Sequence, residues 1–354
     1  MSSFIGFGSK FDPVPAEVAT PLGVINRAAG HADLYREQFP RLLDALRHRA
    51  RIDSVKASSA LEGIVAGAGR TTVMVVEPVA APRTRSEAEL RGYSNAQTYV
   101  FDEAAREPHW TVRVSLHLHR MLYEPTGAVG AGQFKTADNL VVERRPDGER
   151  MAPFRPVSAA RTPQAMSELV DSYNDSVDRG THDPLLLICG AVLDFSVIHP
   201  FADGNGRVSR LLFNLLLAQA GFDVGRYVSL ERVIEQNKER YYDVLLASTH
   251  GWQEGSHTVW PAVSYMVQVI EQCYTRFVQF ADVERAVGSK RERVRRFLDE
   301  YGTRSFSMAE LTRALPGVSQ ATIRLVLNEM RNQGTVIASS GRGARWQWVT
   351  HTAE

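Results

Sequence analysis

Two apolar runs joined by a short polar loop set the frame for this chain. Residues 185–198 are apolar on nearly every face of a helix, which puts that helix inside a helical core rather than on its surface. Residues 207–217 turn apolar again through Leu211, Leu212, Phe213, Leu215, Leu216 and Leu217. The connection is His199-Pro200-Phe201-Ala202-Asp203-Gly204-Asn205-Gly206. Pro200 disfavours helix at His199, so the first helix ends there. The Gly204-Asn205-Gly206 turn then sits at the N-terminus of the second.

A turn in that position can aim several backbone N–H groups at one point, and the helix dipole adds positive potential. Arg207 lies on the first turn, and Arg210 shares its face three residues on. Two fork-shaped cations beside an amide nest make a cradle for a polyphosphate. His199 exchanges a proton near neutral pH, and Asp203 is a hard oxygen donor for a divalent cation. Taken singly, each residue has an ordinary reading: a helix-end cap, a turn former, a solvated basic face. Their occurrence together in this order carries the information.

Apolar residues recur at helical spacing over residues 24–62, as in Leu34, Phe39, Leu42, Leu43, Leu46 and Ile52, with Gly63 as a stop. Residues 1–19 read as an irregular arm. Residues 64–86 read as a long connection with a short strand in the β-branched run 71–76. Further helices are expected over 87–106, 110–123, 162–178, 183–198, 229–250 and 258–286. Residues 127–156 read as a hairpin with a turn at Pro146-Asp147-Gly148. Near the C-terminus come a helix over 291–301, a Ser307–Glu310 capping box, a Ser319-capped helix over 320–333, and two β-like segments. That order is the layout of a winged helix-turn-helix. The fold class expected is mainly α.

The 354 residues suffice for two or three domains. Net charge is only +1, but residues 285–348 hold 12 Lys/Arg against 5 Asp/Glu. A basic end on an acidic body suggests a module for nucleic acid or another anion. Cys189 and Cys273 are too few for a disulfide framework or a metal cluster. The N-terminal residues lack the cationic-then-apolar pattern of a secretion signal. No apolar run reaches the roughly 18 residues of a membrane span. The expectation is a cytoplasmic protein with no membrane partner.

The twelve residues from His199 to Arg210 match in full the His-Pro-Phe-x-Asp-Gly-Asn-Gly-Arg-x-x-Arg signature of Fic-domain proteins. The chain resembles that family from its N-terminal helices to about residue 280. The architecture implied is a Fic-type helical core with a β-hairpin flap over residues 96–286. An N-terminal helical region with an inhibitory motif precedes it over residues 1–95, and a winged helix-turn-helix follows over residues 287–350. The resemblance implies a protein adenylyltransferase that moves AMP from ATP to a Ser, Thr or Tyr hydroxyl of a target protein or of itself. By it, His199 takes the hydroxyl proton and Asp203 holds Mg²⁺. Gly204, Asn205 and Gly206 grip the α- and β-phosphates, Arg207 the β-phosphate and Arg210 the γ-phosphate. Asn237 and Tyr241 border the adenine, and Phe201 anchors the loop in the core. No Gly-x-x-x-x-Gly-Lys-Ser/Thr loop competes as a nucleotide site.

Ser58-Ser59-Ala60-Leu61-Glu62-Gly63 resembles the family's N-terminal inhibitory motif. It implies that Glu62 pairs with Arg210, supported by Ser58, and so removes the γ-phosphate's partner. The segment from Gly132 to Val142 resembles the flap, with Asn139, Leu140, Val141 and Val142 as the edge that docks a target by strand addition. Lys135 stands where relatives often have Arg, and Val142-Glu143 where they have a Gly-Gly pair. Other readings stay open on the sequence: phosphoryl or other nucleotidyl transfer, or AMP removal, at the same site. A nucleotide-sensing transcription regulator is another, binding DNA through Gln320, Thr322 and Arg324 with Arg342 and Arg345 in the wing. Protein docking by the C-terminal module and a homodimer are open as well.

Overall fold

The computed structural model describes residues 3–4, 10–64, 66–67, 69–77, 79–140, 154–180, 182–286, 290–301, 305–339 and 345–349. The chain divides into two compact units: Met1–Asn26 with Arg47–Tyr274, and Arg27–Leu46 with Thr275–Glu354. In chain order the helices are α1 (Ala16–Gln38), α2 (Pro40–Leu61), α3 (Arg70–Val76), α4 (Arg85–Asp102), α5 (Val112–Tyr123) and α6 (Thr162–Arg179). Next come α7 (Pro184–Ile198), α8 (Asn205–Gln219), α9 (Leu230–Gln236), α10 (Lys238–Thr249) and α11 (Trp260–Ala286). The mainly α expectation holds.

Helix α7 is the centre of the first unit. Asp183 caps it by accepting the Leu185 N–H at 2.9 Å, and Pro184 opens it with its φ already helical. Every residue of Leu185–Phe195 is buried, and each fully buried Leu or Ile contributes roughly 2 kcal/mol. Helices α6 and α8 pack against α7, and α8 packs in turn against α4 and α5. The one carboxylate in α7, Asp194, is wholly buried and fully used. It accepts the Ser3 N–H and hydroxyl, both at 2.6 Å, and the Trp252 Nε1–H at 2.7 Å. Burial pushes its carboxyl up to about 6, against the pull of those donors.

Four expectations change. Helix α1 starts at Ala16, inside the stretch read as an irregular arm, because Val18, Leu22 and Ile25 already form a buried stripe. The β-branched run 71–76 is helix α3, not a strand. Met74 and Val75 are buried there, and Arg70 is tied to Glu87 of α4 at 2.6 Å, so packing overrides β propensity. The single helix expected over 229–250 breaks at Asn237, whose N–H returns to the Ile234 carbonyl in a tight turn. Of the expected hairpin, residues 127–140 hold no strand, Phe154 forms a single β-bridge, and residues 141–153 lie outside the described residues. Val141 and Val142 of the expected docking edge, and the turn at Pro146-Asp147-Gly148, lie outside the described residues.

The second unit carries α12 (Lys290–Tyr301), β1 (Phe306–Ser307), α13 (Met308–Ala314), α14 (Gln320–Asn332), β2 (Val336–Ala338) and β3 (Arg345–Trp348). The three strands form one antiparallel sheet in the order β1-β3-β2, with Phe306 opposite Trp346 and Ile337 opposite Gln347. Strand β1 escaped the sequence reading because two residues are too short to alternate. Ser307 and Glu310 form the expected capping box, and Ser319 caps α14. Val294, Leu298, Phe306, Leu311, Ile323 and Leu327 fill the core of this unit.

Candidate active site

His199 terminates α7 at φ 51°, and no other non-glycine among the described residues has positive φ. Proline after it excludes the right-handed helical conformation, and the left-handed one costs about 1–2 kcal/mol that the surrounding contacts must offset. Those contacts are dense. Phe201 is fully buried and stacks on His119, ring centroids 4.0 Å apart and planes within 3°. The Asn205 side chain closes the loop on itself, accepting the Phe201 N–H and donating to the Phe201 carbonyl, both at 2.8 Å. Lys135 donates its N–H to Pro200 and its Nζ to the Ile198 carbonyl and to Asn139. Asn139 donates onward to the Phe201 carbonyl at 3.1 Å. His119 accepts the Gly132 N–H on Nδ1 at 2.8 Å, which leaves its Nε2–H to donate to the Asp203 carbonyl at 3.2 Å.

The loop delivers its last residues to the start of α8. Val208 N–H bonds the Gly204 carbonyl, so the amides of Asn205, Gly206 and Arg207 precede the first intrahelical bond. Arg210 is buried beneath them. Its Nε donates to Ser58 Oγ at 2.9 Å, and its Nη2 donates to the Ser58 carbonyl at 3.0 Å and to Glu62 Oε1 at 2.7 Å. A Cβ on Gly206 would lie 2.3 Å from Glu62 Oε1. The Glu62 carboxylate thus rests on the amide end of α8 and on Arg210 together, two features that favour an anion. The end of α2 is held by Tyr242 of α10, whose hydroxyl donates to the Leu61 carbonyl at 3.2 Å.

Charge states follow from burial. Burial pushes His199 down to about 4, with nearby Lys135 acting in the same direction, so the ring is neutral at pH 7. Its Nδ1 faces the Ser196 carbonyl at 3.4 Å, which places the remaining proton there and leaves Nε2 as the base. His119 is likewise pushed down to about 4 by burial. Lys135 falls to about 8 for the same reason. Burial opposes the ionised form of Asp203, but bonding to Tyr123 and the Arg207 charge outweigh it and hold the carboxyl below its usual value.

The structure brings Ser58, Glu62, Gly206 and Arg210 together, with His199 and Asp203 on the same loop. It separates other residues from their expected roles. Arg207 does not share a cradle with Arg210: its Nη1 donates to Glu89 and its Nη2 to the Tyr123 hydroxyl, both at 2.6 Å, and the guanidinium is buried. The Asn205 amide serves the loop backbone. Asn139 points at the loop rather than at a docking edge, while Leu140 is exposed. Tyr241 is buried in a narrow recess with Arg210, Ile234, Phe213 and Tyr265, and Asn237 is exposed at the α9–α10 break. Glu89, Tyr123 and His119 were missed. Arg85 and Glu89 stand four apart on one helix, a spacing that reads as a solvated surface pair.

In the second unit Gln320 and Arg324 are exposed and Thr322 is half-buried near the start of α14. Arg345 donates to Ser305 and Glu310. Arg291 and Arg295 both pair with Glu329, the latter at 2.7 Å. Arg342 lies outside the described residues.

Residues 110–217 match the model of the Fic/DOC family. The chain is thus similar to that family over less than a third of its length. It is 28% identical over 167 residues to the protein adenylyltransferase fic-1 of Caenorhabditis elegans, a match covering 46% of this chain and 31% of that protein. It is 25% identical over 202 residues to the protein adenylyltransferase Fic of Nematostella vectensis, covering 55% and 42%. The chain thus spans less than half the length of these curated relatives. A solved Fic family protein from Desulfovibrio desulfuricans superposes with a TM-score of 0.61 at 21% identity, over 96% of this chain and 98% of that one. Solved C. elegans Fic-1 gives 0.58 at 22% identity over 78% and 80%. These likenesses establish a Fic fold. No described helix is long and apolar enough to cross a membrane.

Proposed function

We propose that this chain transfers AMP from ATP to a protein hydroxyl, its own included, and that Glu62 holds it inactive. One observation carries the reading. The Glu62 carboxylate occupies both Arg210 and the Gly206 end of α8, the position where helix amides and a guanidinium would otherwise receive a phosphate. The adenylyltransferase relatives support the reaction class. His199 Nε2 accepts the proton of the attacking hydroxyl. The hydroxyl oxygen bonds the α-phosphorus, the α–β phosphoanhydride bond breaks, and pyrophosphate leaves. Arg210, once freed from Glu62, meets the terminal phosphate.

Asp203 suits Mg²⁺ as an exposed carboxylate, since Mg²⁺ takes one or two carboxylates and fills its other positions from water and phosphate oxygens. Among the described residues no group of three or more His, Cys, Asp or Glu forms a metal cage of its own, which fits an ion that arrives with the nucleotide. Asp203 would hold it, and the bound ion supplies charge neutralisation on the phosphates. The test is mass spectrometry of wild type, Glu62→Gly and His199→Ala after incubation with ATP and Mg²⁺. AMP on Glu62→Gly alone is the expected result. No adduct on Glu62→Gly removes the reading, and an added phosphoryl group would move it to phosphoryl transfer.

We read the second unit as a winged helix-turn-helix from its strand and helix order. Arginines paired with Glu310 and Glu329 favour protein docking over duplex DNA. A mobility shift of duplex DNA that persists at physiological salt would reverse that preference.

A further inference from the structure

Arg207 has the sequence position of a phosphate ligand but the surroundings of a buried strut. Its guanidinium is 2% exposed, clamped between Glu89 of α4 and the Tyr123 hydroxyl at the end of α5. Arg207 Nη2 also stands 3.8 Å from Asp203 Oδ2. The same Nη2 thus stands between the Tyr123 hydroxyl and the Asp203 carboxylate. Asp203 Oδ1 also accepts the Gly204 N–H at 2.7 Å. An aspartate whose side chain is 68% exposed is thereby fixed from two sides.

The ring that carries this hydroxyl is itself wedged. A Cβ on Gly204 would meet Tyr123 Cε2 at 2.8 Å and its hydroxyl oxygen at 2.9 Å, so only glycine lets the turn lie against the ring. The His119 ring lies 5.0 Å away, and the Arg207 guanidinium stands over the Tyr123 face at 5.1 Å. Glu89, Arg207, Tyr123 and Asp203 form one chain of charged and polar contacts leading from the buried face of α4 to an exposed carboxylate.

We infer that Tyr123, with Arg207 held by Glu89, is a positioning residue that presents the Asp203 carboxylate to the divalent cation of a bound nucleotide. The inference rests on the AMP-transfer reading and assigns Arg207 to the cation side of the site rather than to a phosphate. Groups that orient a ligand side chain ordinarily change metal affinity by tenfold or more when removed.

The test uses the full chain with Glu62→Gly, and measures the affinity of a fluorescent non-hydrolysable ATP analogue in Mn²⁺ and in EDTA. The ratio of the two affinities reports the metal alone. Asp203→Asn is expected to lose the Mn²⁺ enhancement. Tyr123→Phe, which keeps the ring, is expected to reduce it roughly tenfold while the affinity in EDTA stays unchanged, and to lower the thermal midpoint because Arg207 loses a buried acceptor. Loss of AMP transfer in Tyr123→Phe is expected to recover as Mg²⁺ is raised. If Tyr123→Phe keeps the full enhancement while Asp203→Asn loses it, the inference is overturned and the AMP-transfer reading stands. If Mn²⁺ gives no enhancement in the parent, or Asp203→Asn keeps it, the Asp203 assignment fails and the inference with it.

Discussion

At the scale of single residues, burial decides what His199 and Arg210 can do. A histidine pushed down to about 4 is unprotonated across the neutral range. The acid limb of AMP transfer by Glu62→Gly is therefore expected below pH 5 in a pH–rate profile. A limb near 6.5, the value of a free imidazole, would mean that burial does not act on the ring. Arg210 depends on Ser58 as well as Glu62, since Ser58 Oγ is the acceptor for its Nε. Ser58→Ala leaves a buried N–H of a charged group without that acceptor. It is expected to lower stability by about 1–3 kcal/mol in chemical denaturation and to raise self-modification less than Glu62→Gly does. Label equal to that of Glu62→Gly would show that the serine rather than the carboxylate sets the brake.

At the scale of elements, the site is an arrangement of helix ends. The C-terminus of α7 supplies His199, the N-terminus of α8 supplies the amides, and the end of α2 supplies Glu62. Helix α4 secures α8 from behind through Glu89 and Arg207, both nearly fully buried. Breaking a buried pair by neutralising one partner leaves an uncompensated charge, and such changes cost about 3–5 kcal/mol. Glu89→Gln is expected to lose an amount of that order in urea unfolding. A loss below 1 kcal/mol would mean that water reaches Arg207 readily.

At the scale of the molecule, buried histidines set the response to acid. His119, His199 and His257 are each pushed down to about 4 by burial. A base held neutral in the folded state contributes stability that is present above its unfolded value near 6.5 and is lost as pH falls toward 4. Asp194, raised to about 6, works the other way: its burial penalty is relieved as pH falls from 6 toward 4. Three groups oppose one, each worth on the order of 2–3 kcal/mol. The thermal midpoint is expected to fall steadily between pH 6.5 and 4.5, and less steeply in His257→Gln. A flat midpoint over that range would contradict the buried-neutral state of these rings.

The helices that build the site were legible because their causes are local. Apolar spacing and Pro200 after His199 act within a few residues of the bonds they shape. The loop chemistry was legible for the same reason, its groups lying within twelve residues. Helix α3 was not legible, because its β-branched residues become helical only against α4. Glu89 was not, because its partner Arg207 lies 118 residues away while Arg85 offers a local and misleading one. The sequence alone determined where α7 and α8 stop and start, and which base, carboxylate and amides lie between them. The motif resemblance already implied that Arg210 meets Glu62; the tertiary structure alone decided that Arg207 meets Glu89 and Tyr123, and that His199 is neutral. Backbone preference acts over one helical turn, whereas pairing and burial exist only once distant segments have closed on one another.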